Sequence, residues 1–331
     1  MRILICQLRN HGDVIRTFPL IESIKANYPG SFVGFTCFDD MVETCKLCGQ
    51  IDVVIPQPRF RPVTDTQGGT RILDCGLLEE AAEKARSYNF DLYLDLHGVF
   101  QSAVFGVVSG ISRRLGRSRE TAKDGATLFY TDVQDVRSKE VNRMERHFVV
   151  AQKLLPKAVP SPRCFKGGEC VSIFPGSSKR GILKRWGIDN YLKLADSLRK
   201  GRKVRFVLGR EELDLASYIR SRVDAEVVVC DDWLKVKEAI LDSSLVIGND
   251  GAFVHLSIWQ NVPTIVICGP LSPVVNGVWK YGVGRTLSAT PKCHCTNVWA
   301  GECEHQHQCM TAISVEAVES AAKELVDDDN P

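Results

Sequence analysis

MRILICQLRNHGDVIRTFPLIESIKANYPGSFVGFTC, residues 1–37, reads as strand, loop, amphipathic helix and strand. The runs at 2–6 and 32–37 are almost continuously apolar, the pattern of strands buried on both faces of a parallel sheet. Between them Val14, Ile15, Phe18, Ile21 and Ile24 recur at three- and four-residue steps, which is one face of a helix. The same unit repeats outward. Apolar runs at 52–55, 91–95, 171–174, 204–208, 226–229, 245–247 and 264–268 alternate with helical patterns, the longest over 139–155. Such alternation predicts an α/β protein with helices on both faces of its sheets. PKAVPSPRCFKGGE, residues 156–169, is rich in proline and glycine and reads as a hinge. Two Rossmann-like doubly wound domains facing a cleft are therefore expected, over 1–160 and 170–313, with a terminal helix over 314–328.

Composition narrows the function. Hydrophobic residues are 44% and charged residues 25% of 331, which excludes a disordered or fibrous chain. Lys plus Arg is 42 and Asp plus Glu is 40, a net charge of +2, so no nucleic-acid partner is expected and any anion site must be local. The 13 cysteines follow no secretory leader, and no apolar run reaches membrane-spanning length. The expectation is a cytoplasmic protein with reduced thiols, meeting a membrane at most peripherally.

Ligands of doubly wound sheets bind at the carboxyl ends of strands, so the loops after strands carry the chemistry. In LRNHGDVIRTFP, residues 8–19, Asp13 is either a helix cap or a carboxylate placed as a general base. In VSIFPGSSKRGILKRWGIDNY, residues 171–191, the hydroxyls of Ser177 and Ser178 and the ammonium of Lys184 suit a diphosphate; a solvated basic loop is the alternative. It is not a P-loop, because Ile182 and Leu183 stand where Lys-Ser/Thr is required. In SLVIGNDGAFVHLSIWQNVPTIVICGP, residues 244–270, Asp250, Gly251 and Ala252 open a helix that carries His255. Backbone amides there could take a phosphate, or the segment is a capped helix with a satisfied histidine. Gly282-x-Gly284 does not open a helix and is no dinucleotide fingerprint.

CHCTNVWAGECEHQHQCM, residues 293–310, brings Cys293, Cys295, Cys303 and Cys309 into one segment. Four thiolates can close a tetrahedral zinc or iron site, although the first pair is C-x-C rather than C-x2-C; reduced free thiols are the alternative. Cys45-x-x-Cys48 falls on a predicted helix and is not read as a redox pair. Arg59, Arg61, Arg113 and Arg114 are candidates for an acidic acceptor, with solvent exposure as the plainer reading of the last two.

Taken together, these segments resemble glycosyltransferase family 9, the ADP-heptose heptosyltransferases of bacterial lipopolysaccharide core assembly. The resemblance rests on the opening 30 residues, DLHGVFQSA, MERHFVVAQKL, FPGSSKRGILKRWGIDNYLKLA, GNDGAFVHLSIWQNVPTIVICGP and CMTAISVEAVESA. It implies a GT-B fold: acceptor on the first domain, nucleotide sugar on the second, and the last helix returning to the first domain. It implies Asp13 as catalytic base, Ser177 and Ser178 on the donor phosphates, and Lys184 as the lysine of K-x-W. Asp250 becomes the acidic residue of the donor loop, with Gly251 and Ala252 as backbone donors and His255 beside them. The chain departs from the family at Gly251–Ala252, where D-T-G-x-x-H is usual, and at His97, where D-L-Q-G is usual. The implied reaction is inverting transfer of heptose from ADP-heptose to a glycolipid or glycan core at the inner membrane. It needs no catalytic cofactor, since no D-x-D-type metal site is evident. Related members that glycosylate proteins hold iron in a cysteine loop, so a protein acceptor is one alternative, and a non-catalytic metal-binding interaction protein is another.

Overall fold

The computed structural model describes residues 1–59, 75–137, 140–289 and 303–327, together with the backbone of 61–62 and 71–72. It comprises two compact units, Met1–Ser161 and Pro162–Pro331. The boundary falls inside the proline-rich hinge.

The first unit runs β1 (Arg2–Cys6), α1 (His11–Ile15), α2 (Phe18–Asn27), β2 (Phe32–Phe38), β3 (Val53–Gln57), α3 (Cys75–Ser87), β4 (Leu92–Asp95), α4 (Phe100–Val108), β5 (Arg114–Arg117), β6 (Asp132–Gln134) and α5 (Arg143–Gln152). Its six strands are parallel in the order β3-β2-β1-β4-β5-β6. A short antiparallel hairpin pairs Arg61–Pro62 with Arg71–Ile72. Strand β1 is central because Ile3, Leu4, Ile5 and Cys6 are fully buried. Pro56 is tolerated in β3 because that strand lies at the edge. The strand order reverses between β1 and β4, so the switch point lies where β1 and β4 end.

The second unit repeats this plan with β7 (Cys170–Phe174), α6 (Ile188–Leu198), β8 (Lys203–Gly209), α7 (Leu213–Arg220), β9 (Glu226–Cys230), α8 (Trp233–Leu241), β10 (Ser243–Asn249), α9 (Ala252–Trp259), β11 (Thr264–Ile267), β12 (Gly284–Leu287) and α10 (Val315–Asp327). Its order is β9-β8-β7-β10-β11-β12, again all parallel. Val171, Ile173, Phe206, Leu245, Ile247 and Ile265 form its core with Tyr191, Leu194 and Ala195 of α6.

The structure adds to the sequence reading in three places. The terminal helix α10 is built into the second unit. Its Val318, Ala321 and Ala322 join that core, it packs on α6 and on the sheet, and Ser197 donates to Glu319 Oε1 at 2.7 Å. The helix expected over 139–155 is shorter, since Asn142 caps α5 by accepting from Met144 N. Strands β5, β6 and β12 have no apolar run to announce them: RLGR, DVQ and GRTL are short and polar. Among the described residues no helix is long and apolar enough to cross a membrane.

Candidate active site

Asp13 lies on α1, directly beyond the carboxyl end of β1. The cap position belongs to Asn10, so capping is not what Asp13 does. Its Oδ1 accepts from Arg16 Nη1 at 2.8 Å and from Arg143 Nη1 at 2.7 Å, while Oδ2 accepts from Asn10 Nδ2 at 2.9 Å. Burial by itself would raise this carboxyl's pKa. The guanidinium groups of Arg143 and Arg16, helped by the Asn10 amide, overcome that and hold it well below the ordinary carboxylate value.

The surroundings are strongly cationic. His147, one turn after Arg143 on α5, is buried and pushed down to about 3, first by desolvation and then by Arg117. His97 follows β4 and is likewise pushed to about 3, by burial and then Arg9; its Nδ1 accepts from Gln7 Nε2 at 2.9 Å. Both rings are neutral near pH 7. Arg146 is pulled down to about 10 by burial and by repulsion from Arg143, Arg117 and Arg16. Arg117 donates to the His97 carbonyl and packs on Gly98, whose φ is +73°; a Cβ there would come 2.6 Å from Arg117 Nη2. The Asp95-Leu96-His97-Gly98 turn is therefore structural at its acid: buried Asp95 Oδ1 accepts from the amides of His97 and Gly98, both at 2.9 Å.

In the second unit, Ser177, Ser178 and Lys184 converge. A Cβ on Gly181 would lie 2.9 Å from Lys184 Cε, 3.2 Å from Ser178 Oγ and 3.5 Å from Ser177 Oγ. Ser177 Oγ donates to the Gly181 carbonyl at 2.8 Å and accepts from Arg185 Nε at 3.1 Å. Lys184 Nζ donates to the Asp250 carbonyl at 2.6 Å and stands 3.8 Å from its Oδ2. Asp250 Oδ1 pairs with His255 Nε2 at 2.8 Å, and both residues are buried. His255 is thus a satisfied histidine that orients Asp250, and its reach toward any ligand is indirect. Gly251 is the cap residue of α9 and makes no side-chain cap, so the first amides of α9, beginning at Ala252, form a helix start of the kind that attracts anions.

Sequence reasoning missed two residues here. Asn249 Nδ2 donates to the carbonyls of Pro175 (2.8 Å) and Gly176 (3.2 Å), and its Oδ1 accepts from Trp186 N at 2.9 Å, so one amide ties β10 to both ends of the serine-lysine loop. Glu212 sits beneath that loop, its Oε2 accepting from Gly209 N at 2.8 Å. In the first unit, Arg16 was visible as a helical i,i+3 neighbour of Asp13, whereas Arg143 had no local signal.

Other candidates fall away or lie elsewhere. Arg59 is paired with Asp40 at 2.6 Å over the Phe38 ring, Arg113 with Asp132 at 3.6 Å, and Arg114 is spent on the carbonyls of Ile111 and Phe129. The side chain of Arg61 lies outside the described residues. Cys37 and Cys45 are buried neighbours with sulfurs 3.7 Å apart, and no disulfide joins any described cysteines. Cys293 and Cys295 also lie outside the described residues. Cys303 Sγ accepts from His307 N at 3.3 Å, and Cys309 is buried in the second unit's core. Among the described residues no group of three or more His, Cys, Asp or Glu could hold a metal.

Residues 157–302 match the family described as glycosyltransferase family 9 (heptosyltransferase). No curated protein sequence matches the chain. Among solved structures it is similar to a glycosyl transferase family 9 protein of Veillonella parvula DSM 2008 (19% identity, 99% of this chain and 98% of that one, TM-score 0.79). It is also similar to the E. coli heptosyltransferase WaaC with ADP (18%, 98% and 100%, TM-score 0.77). A looser likeness joins it to TibC of enterotoxigenic E. coli, a dodecameric iron-containing heptosyltransferase in complex with ADP-D-β-D-heptose (14%, 99% and 76%, TM-score 0.55). These likenesses establish the fold as two Rossmann-like domains of the GT-B kind.

Proposed function

We propose that this heptosyltransferase-like glycosyltransferase transfers a sugar from a nucleoside-diphosphate donor, ADP-heptose first among candidates, to a hydroxyl of an acidic glycan or glycolipid core, with inversion at the anomeric carbon. One observation carries the reading. At the carboxyl ends of two sheets with the same strand order, the first unit presents an ionised, arginine-held carboxylate and the second a Ser-Ser-Lys loop beside a helix start. The matched family and the ADP and ADP-heptose named with WaaC and TibC support the donor class.

In this reading the acceptor hydroxyl attacks the donor's C1 and passes its proton to Asp13 as the new bond forms. The bond from C1 to the diphosphate oxygen breaks, and its electron pair leaves with the diphosphate. Ser177, Ser178, Lys184 and the amides of Gly251 and Ala252 receive the charge that develops there. They supply counter-charge without a divalent cation, so turnover should continue in chelator. The excess of Arg16, Arg117, Arg143 and Arg146 over carboxylate around Asp13 favours an acceptor bearing phosphate or carboxylate over a neutral protein hydroxyl. In the same reading the transfer takes place in the cytoplasm, at most peripherally at the inner membrane. A zinc or iron held by Cys293, Cys295, Cys303 and Cys309 would be structural and would take no part in these steps.

The test is transfer from a panel of nucleotide sugars to acidic and neutral acceptors, with and without chelator. Asp13→Ala should lose about 10²–10⁴-fold in turnover. Thermal stabilisation by ADP should accompany activity, at about 2.7 kcal/mol when ADP is 100 times Kd. A protein that ignores every nucleotide but loses stability in chelator would instead be a metal-binding module. Turnover abolished by chelator and restored by magnesium would overturn the metal-independent step.

A further inference from the structure

The two oxygens of Asp13 are not equivalent. Oδ1 accepts two charge-assisted bonds from different segments, one from Arg16, the residue that caps the carboxyl end of α1, and one from Arg143 of α5. A carboxylate oxygen offers about two lone-pair positions, so Oδ1 is filled. Oδ2 is met, among the described residues, by Asn10 Nδ2 alone, and Asn10 is exposed. Asn10 also holds a left-handed backbone, φ 67°, at the residue that opens α1. The clamp has a fixed half and an accessible half: Arg16's side chain is 6% exposed, Arg143's 37%.

We propose that Arg16 and Arg143 are positioning residues of the transfer reaction: by holding Asp13 through Oδ1 they present Oδ2, once Asn10 yields it, as the atom that takes the acceptor's proton. The inference rests on the reading of Asp13 as the base. Turning the carboxylate to offer Oδ1 would break both guanidinium bonds, whereas freeing Oδ2 costs one bond to a neutral amide that water replaces. The same clamp keeps the acid ionised, at the cost of making it a weaker base.

The charged and titratable groups facing Asp13 come from every neighbouring segment. They are Arg16 at the carboxyl-end cap of its own helix, Arg143, Arg146 and His147 on α5, His97 after β4 and Arg117 at the end of β5. The arginines stay charged through the working range and both histidines titrate near 3, so an acid limb in the middle range can come only from Asp13 among these groups.

The experiment is the pH profile of kcat/KM with the full chain. The wild type should show no acid limb in the ordinary carboxylate range, about 3.9 and above. Arg143→Gln should bring the limb up into or above that range, because burial then acts with one guanidinium fewer, and should lower kcat about tenfold with KM for the donor unchanged. Arg143→Lys, which restores a cation to Oδ1, should return the limb most of the way. Coincident limbs in wild type and Arg143→Gln, or no rescue by lysine, would overturn the proposal. Should Arg143→Gln not fold, the carboxyl of Asp13 titrated by NMR in the wild type decides instead; an ordinary value overturns it. Asp13→Ala separates the two levels. Retained turnover would remove the base reading itself, while lost turnover with an unmoved limb would remove only the clamp.

Discussion

Replacing Gly176 with alanine probes how the serine-lysine loop is seated. The added Cβ would fall 1.4 Å from Glu212 Oε1 and 2.1 Å from its carboxyl carbon, so the carboxyl group must move. Glu212 is 8% exposed, and its Oε2 accepts from Gly209 N at 2.8 Å. Displacing it gives up a hydrogen bond to a charged group, about 1.5–3 kcal/mol. Forcing a methyl into a packed site adds about 1–3 kcal/mol. Burial raises the pKa of Glu212, against the Gly209 amide and Arg185, so the site disfavours its charged form and moving the carboxylate toward solvent offsets part of the loss. The lower half of the combined range, about 2.5–4 kcal/mol, is therefore expected. For a unit of this size that is a fall in Tm of roughly 5–15 °C. Calorimetry on the full chain would measure it, with an ADP titration alongside, since Pro175 and Gly176 carry the loop into Ser177. The double variant Gly176→Ala/Glu212→Ala should recover most of the loss, because the methyl then enters space the carboxyl has left. A Gly176→Ala protein melting within about 1 °C of wild type, or a double variant as unstable as the two singles added together, would refute this account of the loop.

Lys184→Ala should weaken ADP binding by about 10–100-fold, the equivalent of one charge-assisted bond to phosphate, as measured by calorimetric titration; an unchanged Kd would remove Lys184 from the donor site. Stability should fall in mild acid. His97 and His147 have folded pKa values near 3, below the ordinary 6.5, so the unfolded chain takes up their protons first. Their contribution is complete above about pH 6.5 and is lost as pH falls toward 3, at about 2 kcal/mol for each histidine by pH 5. The depressed pKa of Asp13 adds a loss in the same direction that begins only near the ordinary carboxylate value, about 3.9. Denaturant melts at pH 7 and pH 5 check this, and His147→Gln should remove one histidine's share. Equal stability at the two pH values would contradict it.

What the chain disclosed about itself depended on range. Buried strands announce themselves because nearly every residue of RILIC or FVGFTCF is apolar, whatever lies elsewhere; the edge strands DVQ and GRTL, and the short RLGR next to an edge, carry a weaker demand. The amphipathic pattern of α10 showed that it would pack, but a pattern of valines and alanines does not specify which sheet receives it. The two carboxylates at strand ends make the same point about chemistry. Asp13 and Asp250 each stand just past a strand, in GD and NDG, and their location was legible from that alone. Their partners were not. The second guanidinium on Asp13 arrives from 130 residues along the chain, and the ammonium on the Asp250 carbonyl from 66 residues back. Arg143 looks, in its own neighbourhood, like any solvated arginine in the first turn of a helix. Only α5, packed close enough for its first turn to reach α1, makes that arginine a partner of Asp13, and the height of α5 is set by where Asn142 caps it. A one-residue shift of that cap would rotate Arg143 by about 100° and take it away from Asp13. The character of the proposed base is thus set by a helix start well over a hundred residues away.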